Sequence, residues 1–390
     1  MAQKTLPPPI SATNSPFAAF TFEKRFPHII GQIKTNNALS PSQENELGQL
    51  LDEIRGVVAS PHQPDFDEQD WPFWQRFVRQ HQGKSYAEMP FYEAEAYIYY
   101  RISRIMGYPQ QGSDPFATLK TTGLMENQGA IEKFAKTHQT ERDQFHGAYF
   151  TALLYNSLWA NSADLSQLDA NEVLLDAAFR GRLVIDDTQA LQALIDAPST
   201  TQVDFIADNA GIELISDLFL IDYLLHTGRV KQVNLHVKQY PIFVSDATAD
   251  DVSDHLDLLR RFPVDEVSLF ADALQAHIAG GRLNVCSHPF WNSPYHFTAL
   301  PSDLKQEFAR GTLLLFKGDA NYRRLFEDRE WPIATPVSDV LDYLEHPCAS
   351  IRTLKSEIVL GVEPEKAAQL AHEDKDWLTN GRYGLVMVER

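Results

Sequence analysis

The sequence predicts an α/β protein, with an all-helical amino-terminal part followed by a mostly parallel, three-layer α/β/α sheet. Two patterns predict it. From about Thr21 to Ala160 apolar residues recur at helical spacing, and beyond that short β-like runs alternate with helical ones. Such alternation implies parallel strands joined by crossover helices that cover both faces of the sheet. Length sets the scale. A chain of 390 residues, 44% hydrophobic, is too long for one small core and suits two domains. We place a helical domain at residues 1–165, with 1–20 as an irregular lead-in, and the α/β/α domain at 166–390.

The elements follow in order. The first twenty residues hold four prolines and few periodic apolar positions. Ser40-Pro41 with Gln43 reads as a capping box, and Leu47, Leu50, Leu51 and Ile54 then repeat at helical spacing. Trp71-Pro-Phe-Trp74 opens an aromatic-rich piece. Phe91 to Ile105 reads as a helix with a heavy aromatic face, on which Glu95 is a candidate to face a site between domains. Ile131 to Leu158 reads as one long helix, and Asn156 to Ser166 as a polar loop closing the helical part. Strand-like runs then appear at Leu183–Ile185, Val203–Ala207, Val233–Val237, Ile242–Val244, Leu283–Cys286, Thr312–Phe316, from Ile351 onward, and at Gly384–Val388.

Composition excludes several classes. A net charge of −19 argues against a nucleic-acid or anionic-membrane surface, which needs clustered Lys and Arg. Two cysteines, Cys286 and Cys348, make no disulfide framework and suit a reducing compartment. The start of the chain is too polar and proline-rich for a signal peptide. The most apolar stretch, Leu218 to Leu225, is too short to span a bilayer and carries Asp222. The expectation is a soluble, cytoplasmic protein whose partner is a small molecule; no pattern specifies an oligomeric state.

The chemistry concentrates at strand ends, where open α/β sheets bind ligands. Val203 to Ala207 runs into Asp208-Asn209, then Gly211, then a long apolar helix from Ile212. The adjacent carboxylate and carboxamide offer hard oxygen ligands for Mg²⁺ or Mn²⁺, and the helix amino terminus points its free N–H groups at the same place. Asp246, after Ile242-Phe-Val244, supplies a third oxygen. Lys317-Gly-Asp319-Ala-Asn-Tyr-Arg323-Arg324 and Arg352-Thr-Leu-Lys355 supply the local positive charge that a phosphate requires in an acidic protein. Each feature has a plainer reading. Asp208-Asn209 and Asp246 also suit turns or helix caps, Lys317-Gly-Asp319 a simple turn, and Arg352 with Lys355 a solvated face. Asp186-Asp187 is a competing strand end, read here as a helix start. His236 and His288 match no spacing pattern and read as core or surface histidines.

With those residues in view, the chain resembles the damage-control metal-dependent phosphatases, once termed domain of unknown function 89. It is most similar to their third subfamily, the sugar-phosphate phosphatases also described as acidic-residue (protein-glutamate) methyltransferase-like. Arg352-Thr-Leu-Lys355 matches the subfamily's Arg-Thr-x-Lys motif. Asp208-Asn-Ala-Gly-Ile-Glu213-Leu and Phe243-Val-Ser-Asp246 match its metal-binding segments, and Lys317-Gly-Asp-Ala-Asn-Tyr-Arg323 its substrate loop. Ala320 stands where Leu is usual, and Ala160 and Ser162 where a glycine and a basic residue are usual.

The resemblance implies a helical domain packed on a Rossmann-like α/β/α domain. It implies a phosphatase stimulated by Mn²⁺, Ni²⁺ or Co²⁺, with Mg²⁺ a further candidate, acting on fructose 1-phosphate, fructose 6-phosphate and similar metabolites. Asp208, Asn209 and Asp246 are the implied metal ligands. Asp319, Ala320, Asn321, Tyr322, Arg323 and Lys355 are implied substrate contacts, with Glu213 nearby. Lys317 and Arg352 join them as charge-balancing candidates, and Asp208, Asp246 and Asp319 are the candidate catalytic carboxylates. Two rivals stand beside this reading: an S-adenosylmethionine-dependent protein-glutamate O-methyltransferase, and a non-enzymatic sugar-phosphate sensor.

Overall fold

The computed structural model describes residues 6–56, 71–108, 114–160 and 180–390. Seven strands make one sheet: β1 (Leu183–Asp186), β2 (Gln202–Ile206), β3 (Gln232–Val237), β4 (Leu283–Ser287), β5 (Leu313–Lys317), β6 (Cys348–Thr353) and β7 (Gly384–Glu389). Their order is β1-β7-β6-β5-β2-β3-β4, and every neighbouring pair is parallel except β6 with β7. Central β2 and β5 are nearly continuous apolar runs because both of their faces are covered. The mixed α/β architecture is the one expected from the sequence.

The helices are α1 (Pro16–Phe20), α2 (Phe26–Asn36), α3 (Pro41–Ile54), α4 (Trp71–His81), α5 (Phe91–Ile105), α6 (Ala117–Glu126), α7 (Gln128–Glu141), α8 (Gly147–Trp159), α9 (Thr188–Asp196), α10 (Ile212–His226), α11 (Ala249–Arg260), α12 (Asp265–Ala279), α13 (Ser302–Phe308), α14 (Gly318–Leu325) and α15 (Pro364–Glu373). They sort into two apolar clusters, one on each face of the sheet. One cluster joins residues of α1 to α5 with Ile206, Phe316, Tyr322 and Leu360. The other joins α7, α8, α10 and α12 with Val203, Phe205 and Leu315. The helices that precede the sheet in sequence therefore contribute to both cores. The boundary expected at 165/166 lies outside the described residues.

Several local expectations change. The lead-in of residues 1–20 ends in a helix: Ser15 Oγ accepts from Ala18 N (2.9 Å) as N-cap, and α1 runs through a π-helical turn, Thr21–Arg25, into α2. The capping box at Ser40 forms as read. The single helix expected over 131–158 is two, because His146 ends the connection and its Nδ1 accepts from Tyr149 N to start α8. Asn156 to Trp159 are buried in α8 rather than in a loop, while 161–166 fall outside the described residues. Ile242–Val244 is no strand. Phe243 and Val244 take positive φ of 53° and 70°, so the chain turns back instead of extending. The Phe243 ring lies 5.5 Å from Tyr92 and 5.1 Å from Tyr99, and this aromatic packing offsets the backbone strain.

This topology positions the site. From β2 the chain continues on one side to β3 and β4, whereas β5 and β6 lie on the other. Helix α10 after β2 packs into one face and α14 after β5 into the opposite face. The chain therefore diverges at the carboxyl ends of β2 and β5 and leaves a crevice there.

Candidate functional site

Asp208 and Asn209 emerge at that crevice. Ala207 N still donates to His236 O (3.0 Å), holding the chain beside β3 for one residue beyond β2. The turn at 243–244 brings the next loop back so that Asn209 and Asp246 form an isolated antiparallel bridge. Ala247 N donates to Asp208 O (2.8 Å) and Ala210 N to Ser245 O (2.7 Å). Backbone pairing thus sets Asp208, Asn209 and Asp246 side by side. Asn209 Nδ2 donates to Asp208 Oδ2 (2.8 Å) and to Glu213 Oε2 (3.0 Å), and Asn209 Oδ1 accepts from Ser245 Oγ.

Both carboxylates are buried. Burial, then the Glu213 and Asp246 charges, push Asp208 well above the ordinary carboxylate range. Burial pushes Asp246 up to about 6, against the pull of Lys238. Lys238 Nζ lies 3.4 Å from Asp246 Oδ2, yet that oxygen has no hydrogen-bond partner. Gly318 closes the other side. It takes φ +83°, and a Cβ there would lie 1.9 Å from Asp208 Oδ2. Two crowded carboxylates, an orphaned buried oxygen and a glycine cradle fit a divalent cation held by Asp208, Asn209 and Asp246.

The remaining residues divide by what they touch. Lys317 Nζ donates to Glu213 Oε1 (2.9 Å) and Ser157 O (2.8 Å) and lies 3.5 Å from Asp217 Oδ1. Burial opposes this ammonium, but Asp217 and Glu213 hold its pKa above the ordinary value. Asp319, at the start of α14, lies 3.2 Å from Arg352 Nη2 and accepts from Lys355 N (3.2 Å) and Ser356 Oγ (3.0 Å). Lys355 is exposed. Ala320 is half-buried against the α5-side core. Asn321 Nδ2 donates to Ala207 O (3.1 Å) and Lys317 O (2.7 Å), tying the ends of β2 and β5 together, and its buried Oδ1 has no partner. Tyr322 is buried, accepts from Leu360 N, and stacks under the Arg352 guanidinium at 4.1 Å. Arg323 pairs with Glu95 (2.6 Å) and Asp328 (2.8 Å), so Glu95 meets the Lys317–Arg323 segment through Arg323. Arg324 donates to the carbonyls of Phe290, Trp291 and Tyr295.

A cavity of about 320 Å³ opens beside Ala210, Gly211 and Ser245, walled by Leu119, Lys120 and Asn127. Lys120 donates to Asp246 O (3.1 Å) and pairs with Asp114 and Asp251, each at 2.7 Å. Burial pushes His255 down to about 4, so its neutral Nε2 accepts from Gly211 N at 2.7 Å.

Sequence reasoning missed Asp217, Ser157, Lys238 and Lys120. Asp217 sits one helical turn after Glu213, a spacing that places both on one face. Lys238 directly follows β3, so the strand-end rule reaches it. Nothing local marks Ser157 or Lys120. Asp186-Asp187 lies at the far side of the sheet, where Asp186 Oδ1 accepts from Thr188 N at the start of α9.

Comparison with known proteins gives the family and a likeness of fold. The family profile described as damage-control phosphatase ARMT1-like domain matches residues 21–370. Damage-control phosphatase ARMT1 of Mus musculus is 32% identical over 325 residues, 77% of this chain and 74% of that protein. The protein of that name from Homo sapiens is 29% identical over 424 residues, 96% of each chain. Among solved structures, a DUF89 family protein from Pyrococcus horikoshii superposes with a TM-score of 0.55 at 13% identity, over 96% of this chain and 99% of that one, a likeness of fold. The chain belongs to the ARMT1-like damage-control phosphatase family.

Proposed function

We propose that the protein is a metal-dependent phosphomonoester hydrolase acting on small phosphorylated metabolites of the fructose 1-phosphate and fructose 6-phosphate class. One observation carries the reading: Asp208, Asn209 and Asp246 converge at the β2/β5 crevice, both carboxylates are buried, and Asp208 has no Lys or Arg within 4.0 Å among the described residues. A divalent cation held there supplies Lewis-acid polarisation of the phosphoryl group and lowers the pKa of an attacking water. Mn²⁺, Ni²⁺ and Co²⁺ are the ions the family resemblance favours.

The chain's own groups do the rest. Lys317, anchored by Glu213, Asp217 and Ser157 O, stays charged and holds positive potential at the end of β5. Exposed Lys355 and buried Arg352 add positive charge at the end of β6, and Asp319 orients a sugar hydroxyl or the attacking water. Helix α10 starts at Ile212, shortly after Asp208-Asn209, so the positive end of its dipole lies beside the same crevice. The adjacent cavity is of small-molecule size.

The decisive experiment is phosphate release from a sugar-phosphate panel by metal-stripped protein, with Mg²⁺, Mn²⁺, Co²⁺ or Ni²⁺ added back. Release that requires metal and disappears in Asp208→Ala supports the reading. Folded protein that releases no phosphate with any metal overturns it; labelled methyl transfer then tests the methyltransferase, and metal-dependent sugar-phosphate binding without turnover the sensor.

A further inference from the structure

The buried carboxylates among the described residues are matched with cations, with two exceptions. Among the described residues Arg323 pairs with Glu95 and Asp328, Lys317 lies beside Glu213 and Asp217, Arg142 pairs with Asp222, and Lys238 lies beside Asp246. Asp208 and Asp204 have no Lys or Arg within 4.0 Å. For Asp208 the candidate metal site accounts for this. Asp204, fully buried in β2, is not explained by that site. Four residues of strand separate the two, about 13 Å.

Among the described residues, the ionisable group nearest the Asp204 carboxylate is the His236 imidazole of β3, with Nε2 at 3.1 Å from Oδ1. A second carboxylate, half-buried Glu307 of α13, joins them, with no Lys or Arg within 4.0 Å among the described residues. One donor atom each from Asp204, His236 and Glu307 lie within 4.8 Å of one another. Two buried or half-buried carboxylates around one imidazole leave negative charge in a poorly hydrated place, which is costly unless a cation completes it. The surroundings also look like the outer layer of a metal site. Asn234 Nδ2 (2.8 Å) and Gln202 Nε2 (3.1 Å) donate to the Asp204 carboxylate and fix its orientation. The His236 ring is wedged edge-on between Trp291 and Phe308, at 5.3 and 5.6 Å. Gly311 lets the backbone close over the carboxylate, since a Cβ there would lie 2.1 Å from Asp204 Oδ2.

We propose that Asp204, His236 and Glu307 form a second divalent-cation site, separate from Asp208, Asn209 and Asp246, that clamps β2, β3 and α13 together. Two carboxylates and an imidazole suit a borderline transition ion, Zn²⁺ in particular. Ligand atoms around zinc sit roughly 3.3 Å apart, so drawing atoms up to 4.8 Å apart into one shell requires up to about 1.5 Å of movement, which half-buried Glu307 can supply. The carboxylates contribute two negative charges and a neutral His236 none, so a divalent ion leaves the site uncharged.

The test counts ions on the full chain. Metal-stripped protein is dialysed against micromolar Zn²⁺ and bound zinc is measured by elemental analysis. Wild type is expected to hold two equivalents and D208A one. D208A/E307Q is expected to bind at least ten-fold more weakly than D208A. Co²⁺ loaded into D208A should show visible d–d absorption that E307Q removes. Absence of bound zinc in folded D208A, or equal binding by D208A and D208A/E307Q, overturns the proposal. If D208A does not fold, two equivalents in wild type against one in E307Q supports the proposal, and equal stoichiometry overturns it. D208A reports on the first site and E307Q on the second, so failure of one reading is distinguishable from failure of the other.

Discussion

Gly318 shows how tightly single residues determine the site. Its positive φ excludes most side chains, and its missing Cβ makes room for Asp208. Gly318→Ala is expected to displace the Asp208 carboxylate by more than an ångström and lower metal-dependent phosphate release about 100-fold. Circular dichroism should report a retained fold, with stability reduced by about 1–3 kcal/mol. Activity within two-fold of wild type would refute the cradle. Asp217 acts one step further out. Burial raises its pKa to about 7 against the pull of Lys317, and Ser157 Oγ donates to it at 2.5 Å. Asp217→Asn keeps the shape while removing the charge that anchors Lys317. KM for the phosphorylated substrate should rise several-fold, with metal affinity unchanged; an unchanged KM would show that Glu213 alone fixes the lysine.

At the scale of elements, the three candidate metal ligands sit on connections that are neither helix nor strand. The 238–248 loop carries Asp246, the third candidate ligand, and α6 braces it through Lys120, whose side chain is 4% exposed. Lys120→Met leaves Asp114 and Asp251 without their shared cation, so unfolding free energy should fall by about 3–5 kcal/mol, read as a lower urea midpoint. A loss of unfolding free energy under about 1 kcal/mol would show that α6 contributes little. The expectation of a strand at 242–244 failed for a related reason. Three apolar residues look like a strand by propensity, but Phe243 finds its partners on α5, which no local pattern reveals. The break between α7 and α8 was likewise hidden, because apolar periodicity continues across it while a histidine side chain performs the capping.

Across the whole molecule, the helices preceding the sheet are divided between its two faces, and buried polar networks join them to it. In one, Asp222 of α10 accepts from His138 of α7 (2.7 Å), His277 of α12 (3.2 Å) and Arg142 (3.2 Å). Burial alone would raise the Asp222 pKa, but these donors hold it well below the ordinary carboxylate range. A depressed folded pKa contributes stability that is fully present above the unfolded value of about 4 and is lost as pH falls below it. The denaturation midpoint should therefore drop steeply below about pH 4, and Asp222→Asn should flatten that drop while lowering stability near neutrality. A variant with the wild-type acid profile would assign the acid sensitivity to other carboxylates. Among the described residues no helix is long and apolar enough to cross a membrane.

The sequence by itself determined the fold class, because alternating apolar runs of strand and helix length admit few packings, and it located Asp208-Asn209, Lys317-Gly-Asp319 and Arg352 to Lys355 at strand ends; Asp246, expected at the end of a strand over 242–244, instead sits on a loop turned back by Phe243 and Val244. The sequence also located Ser40 as a cap, where the signal is local. The tertiary structure decided which cations are committed elsewhere: Arg323 to Glu95 and Asp328, Arg324 to backbone carbonyls, Lys317 to Glu213 and Asp217. It decided too that His236, featureless by spacing, meets Asp204 and Glu307. Ion pairing and side-chain convergence depend on segments distant in sequence and adjacent in space, and neither periodicity nor motif spacing carries that information.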